Sequence, residues 1–96
     1  MPRAIVLNRA DNVATLLDTG QAGDRCTLQG EAAGEVVLAH PVPFGHKVCI
    51  KPARAGGDIV KYGQVIGKAA RDLAVGDHAH VHNVESARGR GDRVKA

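Results

Sequence analysis

Three histidines alternate with small apolar residues in Gly76-Asp77-His78-Ala79-His80-Val81-His82-Asn83, the most concentrated set of chemically able side chains in the sequence. Extended backbone turns successive side chains to opposite faces, so a strand here places His78, His80 and His82 together and Ala79 and Val81 behind them. The apolar face then packs and the imidazoles project. Neutral imidazole coordinates metals, and its ordinary pKa lies near operating pH, so such a row suits a metal, an anionic ligand or proton transfer. A solvated strand face is the competing reading, which accounts for one histidine better than for three.

Distance limits the row. Each i to i+2 step covers roughly 6.5 to 7 Å, so the outer two histidines stand about 13 Å apart at Cα. Zinc-type bonds to nitrogen are only about 2.0 to 2.1 Å long. A neighbouring pair can therefore share one ion, with the remaining positions filled by water, substrate, His46 or another chain. His46 follows Pro41-Val42-Pro43-Phe44-Gly45, where the prolines withhold ladder donors and the glycine allows a sharp redirection, so the imidazole emerges from a constrained turn. His40, before Pro41, reads as structural. Lys61-Tyr62-Gly63 is a second polar group: the lysine could hold a carboxylate, while the tyrosine either joins it or fills the core with its hydroxyl at the edge. No phosphate-cradling loop, serine elbow or zinc-type cysteine pair is present in the sequence.

The elements that must position these groups are short. β-Branched runs punctuated by Gly and Asp recur along the chain, which predicts a compact, mostly β domain of hairpins. Strands are expected at 3–7, 13–17, 25–29, 35–39, 47–51, 58–61, 64–69 and 78–83, with 71–75 a turn or a single helical turn. Ala22-Gly23-Asp24, Gly56-Gly57-Asp58 and Val75-Gly76-Asp77 read as one turn used three times, since glycine accepts a positive φ and aspartate bonds nearby backbone.

At 96 residues the chain is one domain, expected to bury about 60 to 65% of its extended surface. Phe44 and Tyr62 are its only aromatics, so a thin aliphatic core is predicted and a deep private pocket is not. The net charge of +3 is misleading as a sign of nucleic-acid binding. Residues 1–86 balance at nine basic against nine acidic, and the excess sits in residues 87–96, a Gly-rich basic tail expected to be disordered. Cys26 and Cys49 form no motif and are expected free and reduced. Neither a leader nor a membrane span is expected, and the reading is a cytoplasmic domain without nucleic-acid or membrane partners.

Two stretches carry a resemblance: Gly45-His46-Lys47-Val48 continuing to Gly57-Asp58-Ile59-Val60-Lys61-Tyr62-Gly63-Gln64-Val65-Ile66-Gly67, and then the histidine row. Together, with Asp11-Asn12-Val13-Ala14, they resemble the small subunit or N-terminal domain of the altronate/galactarate dehydratase family, which includes sulfolactate sulfo-lyase. The similarity covers residues 8 to 86. It implies a SAF-type domain with a β-clip fold at 1–86, working as the small subunit of a hydro-lyase on a sugar acid or related hydroxy acid. It also implies a separate large catalytic subunit and a divalent metal such as iron(II), which the isolated domain is not expected to retain. Carried over residue by residue, catalytic roles fall on His46, His80 and His82, metal binding on His78 and His80, and substrate binding on Lys61 and Tyr62. Cys49 and Pro52 stand where relatives more often have Ala and a polar residue, and Asp77 replaces a more usual Glu, which leaves the substrate open.

Two other functions compete. A non-catalytic β-clip module would hold a small anionic ligand or a partner protein without chemistry, and on either reading a homo-oligomer is a further partner expectation. A metal carrier would bind a stoichiometric ion on the isolated domain.

Overall fold

The computed structural model describes residues 1–80 and 83–86, and these form strands, turns and connections without a helix. Strands run β1 (Arg3–Val6), β2 (Val13–Leu16), β3 (Arg25–Gly30), β4 (Gly34–Val37), β5 (Lys47–Cys49), β6 (Asp58–Lys61), β7 (Gln64–Ala69), β8 (His78–Ala79) and β9 (Val84–Ser86). A six-stranded sheet has the order β4-β3-β1-β2-β5-β8, and a three-stranded sheet the order β6-β7-β9. The expected mostly β, SAF-like domain is what forms. Among the described residues, no helix is long and apolar enough to cross a membrane. The basic tail at 87–96 lies outside the described residues.

Alternation on β2 and β5 divides the interior into two cores. Val13 pairs with Cys49 and Ala14 with Val48. Ala14, Leu16 and Val48 face a first core with Val6, Leu38 and Val42, whereas Val13 and Cys49 face a second with Ile59, Leu73 and Ala79. Cys26 and Cys49, free and buried, belong to different cores. With aliphatic side chains worth about 1.5 to 3 kcal/mol each on full burial, two small clusters share the work of one larger core.

Among the described residues the Gly-Asp turn forms at two of the three expected places, the third closes one residue earlier on Gly56-Gly57, and Gly45-His46 adds a fourth of the same form. Gln21–Asp24, Pro43–His46, Arg54–Gly57 and Ala74–Asp77 each close with an N–H of the fourth residue donated to the carbonyl of the first, at 2.7–3.1 Å. Each has a glycine of positive φ third: Gly23, Gly45, Gly56 and Gly76. Asp24 and Asp77 also accept from the backbone N–H of the first residue, both at 2.9 Å. Pro43 has no such N–H. The fourth position of that turn is thus relieved of capping, and an imidazole can occupy it.

One expectation is corrected and one is decided between its alternatives. The strand predicted over 78–83 ends at Ala79, and a turn follows in which Asn83 N–H donates to the His80 carbonyl at 2.9 Å. Polar, buried Asn83 closes that turn, which outweighs the alternation. The segment 71–75 takes the turn alternative and not the helical one: Leu73 forms an isolated bridge with Ala53, and Val75 lies in the Ala74–Asp77 turn.

The β6–β7 hairpin turns on Tyr62 and Gly63, both with positive φ (57° and 71°), the two-residue geometry that matches strand twist. Asn12 ties this hairpin to β2: its side chain donates to the Asp58 carbonyl and accepts from the Val60 N–H, both at 2.8 Å. Buried Asp11 accepts from the Gly63 N–H at 2.8 Å. Two adjacent residues at the mouth of β2 therefore hold both ends of the hairpin.

Candidate functional site

β5 and β8 pair antiparallel with Lys47 opposite Ala79 and Val48 opposite His78. Continuing that register sets His46 opposite His80. Their rings stack with centroids 5.0 Å apart and planes 6° from parallel. His78 completes a triangle, its centroid 5.1 Å from each of the other two. His46 Nδ1 and His78 Nε2 are 2.9 Å apart. At that distance one nitrogen carries the proton and the other the lone pair, so the pair can share a proton.

Asn83 holds the cluster from behind. Its side chain accepts from the His80 N–H at 2.9 Å and donates to the His78 carbonyl at 2.8 Å, while being 2% exposed. One buried amide thus fixes the backbone of two site histidines. The sequence reading counted Asn83 only as the end of a strand. Its signal was a lone amide after the row, at the spacing of a turn-closing residue. His82 lies outside the described residues.

Two corners of the triangle, His46 and His80, line a cavity of about 400 Å³ together with Gly45, Lys47, Ile59, Ile66, Ala79 and Val84, within the size range of small-molecule sites. The sequence reading gave Lys47 no role. It stands half-buried in this wall, and burial, followed by the nearby Lys61 ammonium, pulls its pKa below the ordinary lysine range. Lys61 and Tyr62 do not line the cavity. Lys61 Nζ lies 4.9 Å from the Tyr62 ring centroid, and the tyrosine is 58% exposed at the hairpin tip, so it does not fill the core. The positive φ at Tyr62 turns that residue outward. His40 sits apart from the cluster's contacts, 3.5 Å from the Asp77 carboxylate.

A divalent metal finds only part of a site here. Among the described residues, no group of three or more His, Cys, Asp or Glu side chains could hold an ion. The closest recorded pair of ring nitrogens joins β8 to the turn before β5, His78 to His46, and does not run along β8. Imidazole is a suitable donor type, so His78 with His46 or His80 supplies up to two ligands and the rest must come from elsewhere.

The described residues thus form an all-β domain with clustered imidazoles beside a cavity of small-molecule size. The family described as altronate/galactarate dehydratase SAF domain matches residues 2–87, and the chain belongs to it. It is similar to the altronate dehydratase of Bacillus subtilis (strain 168), at 33% identity over 90% of this chain and 17% of that protein. It is also similar to the altronate dehydratase of Escherichia coli (strain K12), at 33% identity over 85% of this chain and 16% of that protein. The (2R)-sulfolactate sulfo-lyase subunit alpha of Paracoccus pantotrophus is 45% identical over 49% of this chain and 70% of that subunit. The chain therefore spans about a sixth of the dehydratases and aligns with most of a lyase subunit.

Proposed function

We propose that the chain is the small subunit of a hydro-lyase that removes water from a sugar acid or related hydroxy acid, completing an active site on a separate large chain in the cytoplasm. The observation that carries this reading is the triangle of His46, His78 and His80, of which His46 and His80 line the cavity. Dehydration passes the proton of the C–H bond next to the carboxylate to a base, which this reading assigns to the large chain, and breaks the C–O bond of the neighbouring hydroxyl, which departs as water once protonated. An imidazolium at His46 or His80 can donate that proton, and the contact between His46 and His78 can restore it. His82 remains a further candidate for the same role. A bound divalent ion such as iron(II), held in part by His78 and His80, would supply positive charge to the enediolate. On this reading Lys61 and Tyr62, at the hairpin tip, would reach substrate only across the interface with the large chain.

Reconstitution tests the proposal. The 96-residue chain is mixed with a large chain of the family, and 2-keto acid formation is followed with altronate, galactarate and other hydroxy acids. Metal-dependent turnover by the mixture and by neither chain alone is the expected result. A large chain equally active without this one would reject the reading in favour of a non-catalytic binding module.

A further inference from the structure

Cations in protein interiors are normally paired, and one left over in a concave wall marks the place of an absent anion. Lys47 is a half-buried cation in such a wall. It stands on β5, lines the cavity beside His46 and His80, and its ammonium takes part in no ion pair or hydrogen bond among the described residues. Among the described residues, no acidic side chain belongs to that cavity's lining. Asp58, on the neighbouring hairpin, is engaged with Lys68. Across β2–β5, Lys47 faces Thr15, whose buried hydroxyl oxygen also has no hydrogen-bond partner. The buried Thr15 hydroxyl and the half-buried Lys47 therefore stand side by side on one sheet face. The other lining side chains, Ile59, Ile66, Ala79 and Val84, provide an apolar wall that keeps water from competing strongly for the charge.

We infer that Lys47 is the residue that receives the carboxylate of the hydroxy acid, its ammonium binding the carboxylate while the apolar wall takes the carbon chain and His46 and His80 face the hydroxyl end. This deepens the proposed function by naming the anionic contact made by this chain itself. It moves the carboxylate contact from Lys61, expected from sequence, to its neighbour in the cavity. Lys61 contributes by its charge.

Binding to the chain alone is a separate readout from turnover. Glycerate is titrated into the 96-residue chain at constant ionic strength, with the methyl resonances of Ile59 and Ile66 observed by NMR and glycerol as the uncharged control. Saturable shifts with glycerate and none with glycerol are expected. Lys47→Met should weaken glycerate binding by about tenfold or more, and Lys47→Arg should keep it within about threefold, as befits a charge-assisted contact. The methyl resonances of Val6 and Leu38, in the first core, report whether each variant is folded. As a measurement without substitution, glycerate should slow acetylation of Lys47 in the wild-type chain. Equal shifts with sodium chloride, unchanged binding in Lys47→Met, or no protection of Lys47 would overturn the inference. Glycerate binding without reconstituted dehydration would count against the proposed function and leave the carboxylate site standing.

Discussion

His46 and His80, 34 positions apart in sequence, stack at 5.0 Å across the β5–β8 pair. Neither ring's position is a local property. One is set by the Pro43–His46 turn and the other by the turn that Asn83 closes, and the ladder between them brings the two into contact. Substitutions in those supports should therefore disturb the site as well as the fold.

Replacing Asn83 with Ala strands the His80 N–H and the His78 carbonyl, both partnered by its side chain. Leaving such groups unsatisfied costs about 2 to 3 kcal/mol. Urea unfolding should show that loss, and the imidazole resonances of His78 and His80 should move more than those of His40. A stability change near zero would mean that the amide does not hold the turn.

Two opposite effects are expected at the hairpin tip. Tyr62 occupies left-handed backbone at φ 57° while largely exposed, a conformation costing most side chains about 1 to 2 kcal/mol. Tyr62→Asn should leave stability unchanged or raise it by up to about 1 kcal/mol, because Asn tolerates this region. Gly63→Ala should lower it, since φ is 71° and the new Cβ would stand 2.8 Å from the Asn8 amide nitrogen. Thermal unfolding of the two variants checks both signs.

Burial, then the Asp77 carboxylate, pushes the Cys49 thiol up from 9.0 to about 11. The folded chain thus keeps its proton where the unfolded chain has lost it. The resulting contribution to stability is complete below pH 9 and is lost as pH rises to about 11, on the order of 2 kcal/mol. Burial raises the Cys26 pKa as well, so it adds in the same direction. Urea midpoints across this range should fall less steeply for Cys49→Ala than for the wild type, and identical slopes would contradict the assignment.

Local patterns were legible in the sequence where side-chain alternation and turn chemistry agreed. Asp58–Lys61 and Gln64–Ala69 match their expected bounds because Gly57 and Tyr62-Gly63 punctuate them. The 78–83 segment misled because Ala79 continues the alternation, whereas Asn83 ends it through its own side-chain hydrogen bonds. His78 and His80 were foreseeable as neighbours on one face. The entry of His46 between them was not, since it depends on which strands pair. Lys47 escaped notice for the same reason: a lysine after a histidine looks solvated until the opposing hairpin makes it part of a wall.

The central claim is that the imidazole triangle belongs to a reaction centre shared with a second chain. Its most direct test is kcat of the reconstituted enzyme with His46→Asn or His80→Asn in this chain, with assembly monitored by sedimentation. Loss of a proton-transfer group predicts a fall of about 100-fold or more with the complex intact. Turnover by both variants within about twofold of the wild type would contradict it.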